Sequence, residues 1–358
     1  MINTNYSITE SNKMEVRHWQ KLQQQLQQKP KRWLITGVAG FIGSNLLEAL
    51  LKLDQIVIGI DNFFSGHQHN IDKALRNVSP QQAKRFTFVN ADINENNLPS
   101  VLDNIDYVLH QAALGSVPRS IEDPKLAHQY NVTGFLNLLM ACSKGHVKRV
   151  VYASSSAVYG DSDSPIKSED FIGKSLSPYA TTKHINELYA QMADTCYNLS
   201  TVGLRYFNVF GPRQDPNGAY AAVIPKWIEA MLTNKPVYIN GDGSTSRDFC
   251  YIDNVVQANI LAATMPSKST IPHIFNIALG TGTTLNQLFE LIKSKIPQYK
   301  ATPIYQPFRT GDIHRSIADI SRAHSVMRYA SLCDLTNGLD VTINWYKTKI
   351  SNDQKNCP

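Results

Sequence analysis

A tyrosine and a lysine lie four residues apart in the segment "SPYATTKHINELYA", residues 177–190. Pro178 and the polar pattern after it favour a helix start, and on a helix positions i and i+4 share one face. An ammonium beside a phenol favours the phenolate. Tyr179, with a reference pKa of about 10, could then act as a general base near neutrality. Chance can also supply one such pair, and an exposed helical turn is the alternative.

Two further segments contain groups suited to chemistry. In "YASSSAVYG", residues 152–160, hydroxyls stand at the carboxyl end of a predicted strand, where ligands bind in parallel α/β sheets. In "WLITGVAGFIGSNLLEALL", the glycines Gly37, Gly40 and Gly43 follow a predicted strand and open a helix. Such glycines let the backbone approach a pyrophosphate, which the helix N-terminus attracts. The array predicts a dinucleotide site.

Carboxylates after the next two predicted strands indicate which dinucleotide binds. Asp61 ends the second strand, where a carboxylate can accept hydrogen bonds from an adenosine ribose and would repel a 2′-phosphate. This favours NAD over NADP. Asp92, after the third strand, could reach the adenine amino group. The alternative is that Asp61 is an ordinary turn residue.

The elements that must position these residues form a regular alternation. Helical patterns separate seven short apolar runs: "WLITG", "IVIGID", "FTFVNAD", "YVLHQAA", "RVVYASS", "TVGLRYF" and "HIFNIA". Strands alternating with helices predict a doubly wound α/β fold with a parallel sheet covered on both faces. After Phe207 this rhythm breaks into loops rich in Gly and Pro.

The break predicts a second, smaller C-terminal lobe. We assign residues 1–30 to an N-terminal helical extension, 31–206 with 248–280 to an NAD-binding Rossmann domain, and 207–247 with 281–358 to a substrate-binding lobe. Residues 14–28 predict an amphipathic helix lying on the domain surface; a partner-binding tag is the alternative.

Composition limits the classes of function. The 358 residues have 42% hydrophobic and 18% charged side chains, and a formal charge of +6 spread along the chain. These values favour a globular protein with anionic small ligands over a nucleic-acid binder. No apolar run approaches a membrane span and no export signal is visible. The five cysteines form no Cys-x-x-Cys pair, which favours reduced thiols in the cytoplasm without zinc or disulfides.

Histidines raise the question of a metal. His67 and His69 flank a glutamine, and His110 lies near a predicted strand end, but no carboxylate or cysteine stands at ligand spacing from them. We therefore expect a solvated loop and a core histidine, and no metal.

Longer strings show a resemblance. With the glycine array, Ser155, the Tyr179/Lys183 pair and "RTGD", the sequence resembles the extended short-chain dehydrogenase/reductase family, and within it the nucleotide-sugar 4-epimerases. Through "LHQAALGSVPRS", "RYFNVFGPRQDPNGAYAAVIPKW" and "YINGDGSTSRDFCYI" it is similar to bacterial UDP-N-acetylhexosamine and hexosaminuronic acid 4-epimerases of surface-polysaccharide pathways. The resemblance extends from Pro30 to Tyr346.

The resemblance implies a role for each matching residue. Tyr179 would be the base, Lys183 would lower its pKa and hold the nicotinamide ribose, Ser155 would hydrogen-bond the sugar O4, and Ser156 would lie beside it. Asn208 and Arg247 would bind the diphosphate, and Arg309 and Asp312 would bind phosphate and uridine ribose. The remaining implied substrate contacts are Ser116 and Val223. Further implied cofactor contacts are Phe41, Ile42, Asn62, Ile93, Gln111, Ala112, Ala113 and Asn131.

The resemblance also implies a reaction. C4 of a UDP-sugar would give hydride to NAD⁺, the 4-keto sugar would turn over, and hydride would return to the other face.

Related dehydratases have an Asp-Glu pair after the hydroxyl, and decarboxylases have a nearby Glu. Ser156 and Ala157 stand at these places, which favours epimerisation. A non-catalytic NAD-binding protein would be expected to lack the tyrosine or the lysine. The segment "ASSSAVYG" departs from the usual "AASSSTYG", which affects only local hydrogen bonding.

Sugar choice and assembly are implied in the same way. In the resembling galactose epimerases, the residue seven beyond the substrate-binding arginine borders C2 of the sugar; counted from Arg309 it is Ser316. Its short side chain implies room for an acetamido group, unless other loops set the pocket width. The resemblance implies a homodimer joined through helices that contain residues 131–142 and 179–196.

Overall fold

The computed structural model describes residues 13–95, 98, 102–216, 221–266, 274–308 and 314–355, with side chains described to residue 351. Within these ranges the strands are β1 (Arg32–Thr36), β2 (Ile56–Asp61), β3 (Phe86–Asn90), β4 (Tyr107–His110), β5 (Arg149–Ser155), β6 (Ile166–Lys167), β7 (Thr201–Tyr206), β8 (Val209–Phe210), β9 (Tyr238–Asn240), β10 (Ser246–Arg247), β11 (Cys250–Tyr251), β12 (Ile274–Ile277), β13 (Thr283–Thr284), β14 (Ile304–Gln306) and β15 (Arg315–Ala318).

The helices alternate with these strands through most of the chain. They are α1 (Lys13–Gln28), α2 (Phe41–Lys52), α3 (Gln68–Arg76), α4 (Pro80–Ala83), α5 (Val117–Glu122), α6 (Pro124–His128), α7 (Gly134–Lys144), α8 (Pro178–Tyr197), α9 (Val223–Leu232), α10 (Ile252–Thr264), α11 (Leu285–Ser294), α12 (Ser321–Met327) and α13 (Leu335–Lys355). A π-helical turn at residues 129–133 leads into α7, and a 3₁₀ turn at residues 156–159 follows β5. None of the helices in the described ranges has an apolar stretch long enough to span a bilayer.

The seven predicted strands form one parallel sheet with the order β12-β7-β5-β4-β1-β2-β3. Successive residues of β1 alternate between two apolar cores: Trp33 and Ile35 belong to one and Leu34 to the other. Both faces are therefore buried, as the uninterrupted apolar runs require. The doubly wound α/β fold is confirmed.

The chain direction across the sheet reverses once. It runs outward from β1 to β3 and then returns to place β4 on the other side of β1. Ligands of such sheets bind at the carboxyl ends of the strands that flank this reversal. The segments after β1 and β4 are therefore positioned to form one cleft.

Short strands outside the main sheet form the rest of the C-terminal part. One small sheet has the order β13-β10-β15-β6, and two strand pairs, β8·β11 and β9·β14, accompany it. Strand β6 comes from the segment between β5 and α8, so the early part of the chain contributes an edge to this sheet. The domain boundaries drawn from the sequence stay a prediction.

Helix α1 packs its apolar stripe onto the domain, with Val16, Trp19 and Leu26 buried. The predicted N-terminal helix is confirmed, beginning one residue earlier than expected. The Gln55 amide donates to the Leu26 carbonyl oxygen at 2.9 Å, and Glu15 pairs with His324 of α12 at 3.2 Å. Helix α1 thus contacts both the main sheet region and the C-terminal part.

We expect Trp19→Ala to lower the free energy of unfolding by about 3–5 kcal/mol, because it leaves a cavity in place of an indole side chain that is only 1% exposed. Met14→Ala on the same helix is the control, since Met14 is 68% exposed. Urea denaturation followed by circular dichroism measures both. Equal changes in the two variants would contradict the packing of α1 on the core.

Candidate active site

A cleft of about 550 Å³ opens at the reversal of the sheet. Its walls come from the segments after β1, β2, β3 and β4, as the topology requires. The lining residues are Gly37, Gly40, Ile60, Asp61, Asn62, Phe64, Ser65, Gly66, Ala91, Asp92, Ile93, Gln111, Ala112, Ala113, Leu114 and Tyr130. The structure therefore brings nine residues predicted to bind the cofactor to one cleft.

The glycine turn between β1 and α2 has no space for side chains. Gly37 has φ +71°, and a Cβ there would lie 2.7 Å from the Ala112 nitrogen. A Cβ on Gly43 would lie 2.0 Å from the Gly37 carbonyl oxygen. Helix α2 begins at Phe41, and no side chain caps its N-terminus, where N–H groups lack intrahelical partners. This cradle fits a pyrophosphate.

Two carboxylates line the cleft beside this turn. Asp61 accepts hydrogen bonds from the backbone nitrogens of Ala39 at 2.9 Å and Phe63 at 2.8 Å. Asp92 accepts from the Asn62 amide at 2.8 Å. Asp61 therefore also fixes the glycine turn, in addition to the ribose contact predicted for it.

Two aromatic side chains complete the cleft and were missed by the sequence reasoning. The rings of Phe64 and Tyr130 lie 4.9 Å apart, and the Arg119 guanidinium lies 4.7 Å from the centre of the Phe64 ring. Both rings belong to the cleft lining. The pair "FF" directly after Asp61 and Asn62 was the available signal, but the partner Tyr130 lies on a distant π-helical turn.

The hydroxyl strand and the tyrosine helix meet at the carboxyl end of β5. Ser155 is the last residue of β5, and Tyr179 lies in the first turn of α8, whose N-terminus Ser177 caps. Lys183 donates from Nζ to the Ala153 carbonyl oxygen at 2.8 Å, and Nζ lies 5.9 Å from the centre of the Tyr179 ring. The structure therefore assembles the three predicted catalytic residues.

Burial shifts the pKa values of Tyr179 and Lys183. It raises the pKa of Tyr179, and a hydrogen bond between the hydroxyls of Ser155 and Tyr179 opposes that rise. Burial also lowers the pKa of Lys183 to about 8, against the charge of Glu187, which raises it. In this structure desolvation therefore decides the direction of the Tyr179 pKa shift, and the lowering expected from Lys183 stays a prediction.

Two other residues predicted to touch the cofactor have partners within the protein. The Asn131 side chain accepts from the Leu114 nitrogen at 2.7 Å and donates to Thr182 at 3.0 Å. It thereby joins the segment after β4 to helix α8. The Gln111 amide donates to Asn259 of α10 at 3.1 Å.

Three predicted substrate residues lie on or beside the short strands β8, β10 and β15. Arg247 of β10 stands in register with Ser316 of β15, which is 8% exposed. Asn208, with φ +23°, donates to the Asp248 carbonyl oxygen at 3.1 Å. Arg309 and Asp312 lie outside the described residues.

The remaining three predicted substrate residues stand at the starts of helical segments. Ser116 caps α5 by accepting from the Arg119 nitrogen at 3.2 Å, Ser156 opens the 3₁₀ turn after β5, and Val223 is the first residue of α9.

A buried carboxylate next to Arg247 was not predicted. Asp248 is fully buried and accepts from the backbone nitrogens of Leu279 and Gly280, each at 2.9 Å. Burial raises its pKa to about 6, although these backbone donors oppose the rise. Asp248 thus ties β10 to the segment after β12 and holds the small sheet against the large one.

The histidines occupy one core position and one surface position. His110 is buried and its Nδ1 lies 2.7 Å from the Thr36 hydroxyl, so it is the core histidine that we expected. His67 precedes α3, and its side chain is 48% exposed. Among the described residues, no group of three or more His, Cys, Asp or Glu side chains could hold a metal ion.

Comparison with known proteins gives consistent matches. Residues 33–278 match the model of the NAD dependent epimerase/dehydratase family. A putative UDP-glucose 4-epimerase of Methanocaldococcus jannaschii is 35% identical over 317 residues, which cover 88% of this chain and 98% of that relative.

Two solved structures resemble the whole fold. The UDP-N-acetylglucosamine 4-epimerase from Methanobrevibacter ruminantium, in complex with UDP-N-acetylmuramic acid, is 38% identical with a TM-score of 0.83, over 90% of this chain and 99% of that one. The UDP-glucuronic acid 4-epimerase from Bacillus cereus, in complex with UDP-glucuronic acid and NAD, is 31% identical with a TM-score of 0.80, over 89% and 99%.

We expect Gly43→Ala to abolish retention of NAD, because the new Cβ would collide with the Gly37 carbonyl oxygen at 2.0 Å and displace the turn. Gly115→Ala is the control, since a Cβ there meets nothing within 4 Å. The NAD content of the purified variants, measured after acid release, decides the point. Normal NAD content in Gly43→Ala would show that the turn does not form the cradle.

Proposed function

The chain belongs to the NAD-dependent epimerase/dehydratase family, and we propose that, as an NAD-dependent UDP-sugar 4-epimerase, it acts on a UDP-N-acetylhexosamine or on the corresponding uronic acid. The observation that carries this proposal is the assembly of Ser155, Tyr179 and Lys183 at the carboxyl end of β5, beside the dinucleotide cleft. These groups can take a proton from a sugar hydroxyl and return it.

The cleft residues fit the cofactor by their shape and charge. The α2 N-terminus and its glycine turn would hold the pyrophosphate, and Asp61 would accept from the ribose hydroxyls while repelling a 2′-phosphate. When bound there, NAD supplies the oxidant that accepts and returns hydride at C4. Arg247 suits a diphosphate grip, since its guanidinium is a fixed-charge fork.

The protein's own part of the reaction is proton transfer. Tyr179 would remove the O4 proton through its phenolate, with the Ser155 hydroxyl aligning O4 and the phenol by hydrogen bonds. Burial raises the pKa of Tyr179, so the phenolate needs positive charge nearby, which Lys183 on the same helix face supplies. Returning the proton completes an epimerisation with no net oxidation.

The same segment argues against the related eliminations. Loss of the C6 hydroxyl as water needs an acid to protonate it. The 3₁₀ turn after Ser155 begins with Ser156 and Ala157, and neither can provide that proton at neutral pH. Retention of both Tyr179 and Lys183 in contact distance of Ser155 and Ala153 likewise argues against a non-catalytic NAD-binding protein.

The choice of sugar rests on Ser316. It stands in register with Arg247 across β10 and β15, so a ligand diphosphate held by Arg247 would bring its sugar near a small side chain. A small residue there leaves room for an acetamido group. Assembly as a homodimer through α7 and α8 and a place in surface-polysaccharide precursor synthesis in the cytoplasm are part of the same proposal.

We expect Tyr179→Phe to reduce kcat by about 10²–10⁴, because the substitution removes the phenol oxygen that acts as the general base. The variant should stay folded and retain NAD. Tyr189→Phe, a hydroxyl deletion further along the same helix, is the control and should retain wild-type activity. Anomeric proton NMR of UDP-GlcNAc and UDP-GalNAc measures turnover. Retention of more than about a tenth of the rate would contradict the role of Tyr179.

We expect Ser316→Tyr to lower kcat/KM for UDP-GlcNAc at least about tenfold more than for UDP-glucose, since a bulky side chain acts against the larger substrate. Ser316→Ala, which stays small, should leave the ratio of the two values unchanged. Equal losses on both substrates in Ser316→Tyr would show that this position does not border the acetamido group. The NAD content of each variant monitors folding.

A further inference from the structure

A buried ion pair lies directly behind the candidate catalytic residues. Arg205 of β7 donates from Nε to Glu187 Oε1 at 2.9 Å and from Nη2 to Oε2 at 2.8 Å. The two side chains are only 4% and 8% exposed. Glu187 belongs to α8 and lies four residues, about one turn, after Lys183. Neither partner is one of the proposed catalytic residues.

The carboxylate also contacts the catalytic strand. Ser154, which precedes Ser155 on β5, donates from its hydroxyl to Glu187 Oε1 at 2.6 Å. One turn earlier on α8, Lys183 donates to the carbonyl oxygen of Ala153 on the same strand at 2.8 Å. Two consecutive residues of β5 are therefore bonded to two consecutive turns of α8. Together these contacts fix the strand and the helix relative to each other.

We propose that Glu187 is a positioning residue of the epimerase reaction: it locks α8 against β5, which aligns Tyr179 with Ser155, and its charge keeps Lys183 protonated. The inference rests on the proposed function, because it assigns Glu187 a part only if Tyr179 and Lys183 perform the proton transfer. It differs from a role in folding alone, since a folding role would require neither the contact with Ser154 nor the charge beside Lys183.

The charges around Lys183 explain why a carboxylate is needed. Burial lowers the pKa of Lys183 to about 8, and Glu187 opposes this. From β4, burial and the charge of Lys183 lower the pKa of His110 to about 3, so this ring faces the lysine as a neutral group. Tyr179 on the same helix is neutral until it loses its proton. Without the Glu187 charge, Lys183 would lose its proton at a lower pH.

The groups that face Glu187 hold it in one place. From β7, Arg205 is itself fixed by the Glu169 carbonyl oxygen at 3.1 Å and by the Tyr159 ring at 4.9 Å. From β5, the buried Tyr152 faces the same carboxylate. Burial raises the pKa of Tyr152, and the charge of Glu187 adds to that rise. The guanidinium therefore has other contacts that keep it in position when Glu187 is changed.

The test compares Glu187→Gln with a second ion pair that lies away from the proposed catalytic group. Glu187→Gln keeps the size and an accepting oxygen but removes the charge. Glu48→Gln is the matched control: Glu48 of α2 pairs with Arg213 at 2.6 Å, with side chains 14% and 4% exposed. For each purified full-length variant, kcat, KM, NAD content and Tm are measured. The value of kcat is followed from about pH 6 to about pH 10, a range that includes the Lys183 pKa of about 8.

We expect Glu187→Gln to lower kcat about tenfold with KM and NAD content unchanged, and to move the alkaline decline of kcat about one unit to lower pH. The sign follows because loss of a negative charge makes Lys183 deprotonate earlier. Glu187→Asp, which keeps the charge on a shorter side chain, should restore the alkaline limb while kcat stays low. Glu48→Gln should lower Tm without moving the pH profile.

The variants distinguish failure of this inference from failure of the proposed function. If Glu187→Gln has the kcat and pH profile of Glu48→Gln, the inference is wrong and the pair serves stability alone. If Tyr179→Phe is active in the same assay, the proposed function fails instead. Should Glu187→Gln not fold, Ser154→Ala tests the strand contact with the ion pair intact, and an unchanged kcat in that variant overturns the positioning role.

Discussion

The hydrogen bond from Lys183 to the Ala153 carbonyl is the interaction on which the site depends. An ammonium only 2% exposed is costly to bury, and burial lowers its pKa to about 8. The carbonyl at 2.8 Å and the Glu187 carboxylate one turn away offset that cost. Because the same contacts join α8 to β5, the arrangement that keeps a charged lysine inside the protein also sets the distance between Tyr179 and Ser155.

The cofactor cleft and the substrate lobe are attached to this centre by buried polar groups. Asn131 joins the segment after β4 to α8 through Leu114 and Thr182. Asp248 ties the strand of Arg247 to the backbone after β12, the last strand of the large sheet. An unpaired polar group in such places would cost free energy, so these contacts exclude alternative placements of the two parts. Binding and chemistry are thereby held in one geometry.

Much of this molecule could be predicted from the sequence because its signals are local. Uninterrupted apolar runs predicted the seven parallel strands, and the glycines at 37, 40 and 43 predicted a turn that lets the backbone approach a pyrophosphate. The pair Tyr179 and Lys183 also follows from local geometry, since a helix brings residues four apart to one face. Longer strings carried the resemblance to the family that the comparisons then established.

Only the tertiary structure decided which residues distant in sequence contact each other and how burial shifts their pKa values. The partnership of Phe64 with Tyr130, of Asp248 with Leu279, and of Glu187 with Arg205 and Ser154 joins segments that no periodicity links. The direction of the Tyr179 pKa shift was equally inaccessible, because desolvation depends on packing from several elements at once. The sequence determined which groups could react; the packing determined their protonation and their alignment.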